Sequence, residues 1–520
     1  MYLTQALHRA ALVEGDKIAT INGERQLTYK EVLNRVQRLA GALRNDINLA
    51  EGARGAILAL NSDRYYEFSY AMPWAGCVFV PINTRLAPPE IAYWLEDSGA
   101  EVLFVDDAFL AAVEAMDGKM PSVREIVYIG DGATPDGMHR YEDLIANAEP
   151  IEDAEKGYDD LAALYYTGGT TGVSKGVMLS HRNIIANALN TIPAVPFLPD
   201  MRWLHAAPMF HIADALAIFG VTAVTGRHVF IPGFEPVAVL KAIETQGITE
   251  SLWVPTMINM FANHPDIGNY NLGSLRHLVY GASPMPAAVI NKAIEVMPNC
   301  DFTHAYGQTE SAPLVTINGP DAHKGEGLAN EIYKSCGKPC LTVDVKIIDE
   351  DGNKLAASEI GEICTRGPNI MLGYWNKPEQ TAAALHDGWM HTGDGGYLTE
   401  DGYLYIVDRV KDMIISGGEN VYSAEVENAV YQHAGVVECA VIGVPDEKWG
   451  ERVHAIVRLG EGAEADEAGI IAHCHELIAG FKCPRSVTFR AEPLPVSGAG
   501  KILKTDLRKP FWADHEKGVN

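Results

Sequence analysis

Short apolar runs alternate with segments of helical spacing through the first half of this chain, and that alternation limits the fold more than any other property of the sequence. Thr28-Tyr29-Lys30-Glu31 has the T-x-x-E form of a helix capping box, and Val32, Leu33, Val36, Leu39, Ala40 and Leu43 follow it on one helical face. Residues 56–60, 78–82 and 102–105 read as strands, with a helix expected around 65–75 and another from 88 to 95. Strands recur near 229–231, 251–254 and 277–280. Strands separated by helices build βαβ units and a parallel sheet, so the fold class is α/β.

At 520 residues the chain is too long for one core, and two or more domains are expected. Near Asp351 the texture changes to short strands with Gly-containing turns, at 361–365, 388–392 and 403–407. After Arg409 a compact α+β pattern begins, with helices at 423–432 and 467–477 and strands at 436–444 and 454–459. The charged connector Arg409-Val410-Lys411-Asp412, without Pro or Gly, marks the boundary. The expectation is an N-terminal domain over 1–409, a hinge at 410–412 and a C-terminal domain over 413–520.

Composition removes several functions. A net charge of −27 opposes the basic face that a nucleic-acid partner requires. The richest apolar window, 206–226, is broken by His211 and Asp214, so no integral membrane segment is expected. Arg9, Glu14 and Asp16 come early and no signal-peptide core precedes them, which predicts a cytoplasmic protein. The eight cysteines are too sparse for a disulfide scaffold. Cys336 with Cys340, and the His473-Cys474-His475 cluster, lack a second pair at finger spacing and read as buried thiols and surface histidines.

Against that acidic background, any polyanionic substrate must be met by local lysines, arginines and backbone dipoles. Thr167-Gly168-Gly169-Thr170-Thr171-Gly172-Val173-Ser174-Lys175-Gly176, after the apolar run 161–167, offers uncovered N–H groups, hydroxyls and one cation to a phosphate chain. It is not Walker A, because Lys175 precedes a glycine. Tyr306-Gly307-Gln308-Thr309-Glu310 follows the strand-like 301–304, at a strand's carboxyl end, where open α/β sheets bind ligands. Thr309 and Glu310 offer oxygens suited to Mg²⁺; a solvated loop carboxylate is the plainer reading of Glu310. His391-Thr392-Gly393-Asp394-Gly395 reads as a tight turn whose carboxylate can accept from two ribose hydroxyls, or as an Asx-turn alone. Ser416-Gly417-Gly418 lets a thin ligand approach or merely turns. Pro495-Val496-Ser497-Gly498-Ala499-Gly500-Lys501 presents a lysine on a Gly-rich loop, with Lys504 and Arg508 beyond it, unless this is only a basic tail.

In order and spacing these segments resemble the signature motifs of the adenylate-forming superfamily of acyl-CoA synthetases, adenylation domains and luciferases, from about Leu27 to Arg508. The resemblance implies a large N-terminal domain of parallel and mixed sheets with flanking helices and a small β-barrel-like subdomain, and a small mobile α+β C-terminal domain. It implies ATP, Mg²⁺ and coenzyme A as cofactors and a small carboxylic acid as substrate, and leaves a homodimer open. By position, Thr167, Gly168, Gly169, Thr170, Thr171, Gly172 and Lys175 cradle phosphates. Gly281, Ala282, Ser283, Tyr306 and Gly307 line the adenine site, with Tyr306 stacked on the base. Asp394 and Arg409 hold the ribose, Thr309, Glu310 and Thr167 organise magnesium, and Lys501 bridges the carboxylate and the α-phosphate. Lys411 falls at the hinge, and Gly417, Gly418, Trp449, Phe481 and Lys482, with Arg485, fall along the coenzyme A path.

The acyl pocket implied in this way comprises Asn190, His211, Ile212, Ala213, Trp253, Met257, Tyr280, Gly281 and Ala305, with His211 gating entry. Small residues at 213 and 281 suggest a deep slot, and without an Arg or Lys the pocket disfavours a second carboxylate. The reading leans to a medium- or long-chain fatty acid, with a cinnamate- or benzoate-type acid next. An adenylation enzyme loading a carrier protein is a rival whose amine-pairing acid would have to be Asp214. A luciferase-like oxygenase and a non-catalytic nucleotide-binding protein are the others. The chain departs from the family at Gly168, where serine is common, at Val496-Ser497, and at Cys483, where some relatives place a base.

Overall fold

The capping box at Thr28 forms: its hydroxyl accepts from the Glu31 N–H, and the Glu31 carboxylate accepts from the Thr28 N–H at 2.7 Å. It starts the helix Tyr29–Gly41, which buries Tyr29, Val32, Val36, Leu39 and Ala40 as the spacing predicts. On the same helix Arg35 makes a two-pronged pair with Glu67, at 2.6 and 3.0 Å, and Tyr141 donates to that carboxylate at 2.6 Å. Glu67 is wholly buried, and burial raises its pKa against the pull of Arg35. Arg35→Met is therefore expected to destabilise the protein by about 3–5 kcal/mol, because it strands a buried carboxylate. Urea unfolding measures this; a change under about 1 kcal/mol would contradict the pairing argument.

This computed structural model describes residues 1–167, 174–195, 197–283, 285–409, 412–416, 419–446, 448–497 and 502–513, with the backbone alone at Leu216, Asp408, Arg409, Glu419 and Asn420. Gly168, Gly169, Thr170, Thr171, Gly172, Lys411, Gly417, Gly418 and Lys501 lie outside the described residues.

The described residues form four sheets. In the first, of nine strands, Asp301–Gly307, His277–Gly281, Glu250–Trp253, Arg202–His205, Arg227–Phe230 and Ile18–Asn22 run parallel, in that spatial order. The second, of eight, has a parallel set that includes Leu161–Thr167, Val78–Pro81, Arg54–Leu58 and Ala100–Val105. Lys175–Ser180 returns antiparallel along Leu161–Thr167, with Thr167 opposite Lys175, so the glycine-rich segment joins the two strands of a hairpin. In Ala100–Val105, Val102 and Phe104 enter one core while Leu103 and Val105 enter another. Both faces are covered, which is why such strands read as unbroken apolar runs.

The third sheet is antiparallel throughout and stands where the barrel-like subdomain is expected. Its central strand is Trp389–Leu398, longer than the expected 388–392, because Gly361–Arg366 on one side and Leu404–Arg409 on the other hold it extended through its glycines. Leu404–Arg409 is the last strand of this sheet, and Ile414–Ser416 already belongs to the fourth. There Val436–Asp446 sends Cys439 and Val441 to one core and Ala440, Ile442 and Val444 to the other, the period-two pattern of a strand. The helix Glu467–Leu477 forms over the expected residues. All eight cysteines are buried and none forms a disulfide. No helix among the described residues is long and apolar enough to cross a membrane.

Candidate active site

Three neighbouring parallel strands of the first sheet end together. Trp253 pairs with Tyr280, and Gly281 with Ala305, so their carboxyl ends form one edge, the location at which open α/β sheets bind ligands. A Cβ at Gly281 would stand 2.1 Å from the Ala305 carbonyl oxygen. Its glycine is thus required by close backbone approach, a reason distinct from the deep slot inferred from sequence. Ala282 takes a left-handed backbone at φ +68°.

The carboxylate of Asp394 is the junction between this edge and the third sheet. Its Oδ2 accepts from the Tyr306 hydroxyl at 2.8 Å and from Gln308 Nε2 at 2.9 Å, and Gln308 also donates to the Thr392 carbonyl at 2.8 Å. Burial, and then Asp394, push the Tyr306 phenol well above its ordinary pKa, so it stays a donor. The expected tight turn at His391–Gly395 is corrected: the segment lies inside Trp389–Leu398 as a bulge. Glu362 pairs with Gly395 and Cys364 with His391, which leaves Thr392, Gly393 and Asp394 opposite Ile363 alone. Gly393 supplies the left-handed φ of +67°, and the Thr392 hydroxyl accepts from the Asp394 N–H at 3.1 Å. Across the next ladder Asp394 is in register with the backbone of Arg409.

Glu310 follows in the turn Thr309–Ser311. Its Oε1 accepts from the Tyr374 hydroxyl at 2.9 Å, and Lys175 Nζ lies 4.8 Å from the centre of the Tyr374 ring. The foot of the glycine-rich hairpin, Thr167 paired with Lys175, is thereby tied to the Glu310 turn. Thr309 and Glu310 provide hard oxygens in an oriented turn, a donor set that fits Mg²⁺.

Among the acyl-pocket residues, Asn190 comes from the helix His181–Ala194 and Met257 from Pro255–Ala262. The imidazole of His211 caps the helix Ile212–Ala223, its Nδ1 accepting from the Ala213 N–H at 3.2 Å. Trp253, Met257, Tyr280 and Ala305 share one core, on which Ala213 packs. Ile212 is a correction: it packs in a different core with Met209 and Ala215, because it turns to the opposite side of the helix start. Tyr280 stacks on His304 with centroids 4.9 Å apart and shares a 2.8 Å hydrogen bond with His323 Nε2. Asn190 Oδ1 accepts from the Thr342 N–H and hydroxyl, while its Nδ2 and the Trp253 indole N–H are buried without a partner among the described residues. Asp214 is fully buried against His205 Nδ1, at 2.7 Å, and Trp203 Nε1, at 3.3 Å, so it pairs inside the fold.

In the last domain Arg485 lies over the Trp449 ring at 4.7 Å, and Phe481 is exposed. Lys482, expected along the coenzyme A path, is held by both oxygens of Glu425, at 2.7 and 2.8 Å. Cys483 is buried in the domain core. Lys504 and Arg508 are more than a basic tail. They belong to the helix Lys504–Trp512, where Lys504 pairs with Glu427 and Arg508 with Asp412 of the connector. Sequence reasoning missed Gln308 and Tyr374 as parts of the site. Gln308 could have been found from its place inside the motif, but nothing local marks Tyr374.

The family profile described as AMP-binding enzyme matches residues 7–375, and that of the AMP-binding enzyme C-terminal domain matches 425–501. A feruloyl-CoA synthase from Amycolatopsis sp is 40% identical over 504 residues, covering 97% of this chain and 98% of that protein. The fatty acid–[acyl-carrier-protein] ligase ScoC of Streptomyces coeruleorubidus is 37% identical over 508 residues, covering 95% and 94%. The crystal structure of ATP-bound MatB from Rhodopseudomonas palustris superposes with a TM-score of 0.88 at 31% identity, covering 99% of this chain and 100% of that one.

Proposed function

We propose, from the premise that this chain belongs to the family of AMP-binding enzymes, that it is an ATP-dependent acid–thiol ligase acting on a hydroxycinnamate-type aryl acid. The acid's carboxylate attacks the α-phosphate, forming an acyl-adenylate and releasing pyrophosphate. The coenzyme A thiol then attacks the acyl carbon and AMP leaves. A carboxylate and a polyphosphate repel each other, so the chain's task is to hold them in line and offset their charge. In this reading Asp394 binds the ribose, Tyr306 and Gln308 fix its carboxylate, and Lys175 with the loop it follows holds the phosphates. Thr309 and Glu310, with Thr167, would hold Mg²⁺, which supplies neutralising charge at the phosphate oxygens. Lys501 stabilises charge developing on the α-phosphate, from a C-terminal domain that turns about 410–412 between the two half-reactions.

The observation that carries the aryl reading is the pair of unpartnered donors, Asn190 Nδ2 and Trp253 Nε1. The Thr342 N–H requires an acceptor, which fixes the Asn190 amide with its NH₂ turned away and unsatisfied. In this reading phenol and methoxy oxygens accept from both donors, which an alkyl tail would leave unpaired at about 1–3 kcal/mol each. The similarity to a feruloyl-CoA synthase supports the same reading. A fatty-acid substrate is the second reading, favoured by the similarity to ScoC.

Steady-state kinetics with ferulate, cinnamate and decanoate decides between them. Ferulate is expected to exceed cinnamate in kcat/KM by roughly 10², about tenfold for each hydrogen bond. Trp253→Phe, which keeps the ring and removes the donor, is expected to narrow that ratio about tenfold. Decanoate outperforming ferulate would overturn the aryl reading in favour of a fatty acid.

A further inference from the structure

Glu362 and Cys364 lie two residues apart on the strand Gly361–Arg366, so their side chains share a face, and His391 pairs with Cys364 across the ladder. His391 Nδ1 stands 3.5 Å from Cys364 Sγ and 2.9 Å from Glu362 Oε2, and the three ligand atoms lie within 4.8 Å of one another. Tetrahedral zinc has bonds of roughly 2.3 Å to sulfur and roughly 2.0–2.2 Å to nitrogen and oxygen. Its ligand atoms therefore stand roughly 3.3–3.6 Å apart, close to the sulfur–nitrogen separation seen here. The nitrogen–oxygen pair, at 2.9 Å, needs to open by roughly half an ångström, and the sulfur–oxygen pair already lies within 4.8 Å. Supports are already in place around the three groups. Glu362 Oε1 accepts from the Gly393 N–H at 3.1 Å, and His386 stacks on His391 with centroids 3.6 Å apart. Cys364 is fully buried, while His391 and Glu362 keep 13% and 28% of their side chains exposed, which gives a cation a way in.

We propose that Glu362, Cys364 and His391 bind one divalent cation of the zinc class, with water in the fourth position, and that the bound cation fixes the bulge carrying Asp394. A thiolate, an imidazole and one carboxylate form a set for a borderline metal, distinct in chemistry from the oxygen donors at Thr309 and Glu310. On binding, the Cys364 thiol loses its proton to solvent as sulfur joins the metal. The mechanical link is short: Gly393, hydrogen-bonded to the ligand Glu362, directly precedes Asp394.

The test uses the full-length chain, stripped with chelator and titrated with Co²⁺ as a coloured substitute for Zn²⁺. One Co²⁺ per chain is expected, with a thiolate-to-metal charge-transfer band that Cys364→Ala abolishes. Glu362→Gln, a partly exposed change of equal size, is expected to keep the band and weaken binding at least tenfold. Calorimetric titration with AMP is expected to show at least threefold tighter binding in the metal-loaded protein. Absence of the band in the unmodified chain, a band that survives Cys364→Ala, or undiminished affinity in Glu362→Gln would overturn the site. AMP affinity indifferent to the metal would overturn its link to the bulge.

Discussion

Lys501→Ala is expected to lower acid-dependent pyrophosphate formation on the order of 10² or more, while thioester formation from supplied acyl-adenylate persists. With a net charge of −27, the chain itself is a poor host for a reaction between two anions. Neutralisation has to come from a few placed cations, and in the proposed function Lys501 supplies one for the first step. The second half-reaction starts from a mixed anhydride whose leaving group is already AMP, so it does not need the same cation. Equal loss in both half-reactions would contradict the assigned role and point to a structural one.

Asp394→Asn is expected to raise the Kd for AMP and the KM for ATP by roughly 10–10², with kcat less affected. The carboxylate already accepts from Tyr306 and Gln308, so these two partners are set before nucleotide arrives. Charge-assisted hydrogen bonds to hydroxyls contribute about 1.5–3 kcal/mol each, and the amide replaces a charged acceptor with a half-donor that faces Gln308 and the ribose wrongly. Calorimetry with AMP and kinetics with ATP measure the change. A shift below about twofold in both would remove Asp394 from the nucleotide site.

The parts of the fold that the sequence shows are those in which period and burial agree. Buried strands such as Ala100–Val105 are apolar on both faces, and the helix Tyr29–Gly41 carries its own cap and stripe. The bulge at Thr392–Asp394 does not show, because one strand alone cannot reveal that three of its residues face one of a neighbour's. Glycine at 281 has the same character: its reason is the Ala305 carbonyl, which only strand pairing brings near. The motifs bring Tyr306, Asp394 and Glu310 into view, but not Gln308 as the clasp on Asp394 or Tyr374 as the prop of Glu310, since those contacts span 86 and 64 residues. Charged residues near the end misled in the other direction. Lys504 and Arg508 read only as a basic stretch and are instead ion-paired, because their partners Glu427 and Asp412 arrive from other elements.

In the proposed function one pocket joins a carboxylic acid to AMP as a mixed anhydride before a thiol is needed. Exchange of labelled pyrophosphate into ATP tests it most directly, run without coenzyme A across hydroxycinnamic, benzoic, fatty and amino acids. Exchange is expected to depend on an organic acid, to be strongest with hydroxycinnamates, and to give way to AMP and thioester formation when coenzyme A is added. Failure of every acid to support exchange would contradict that function.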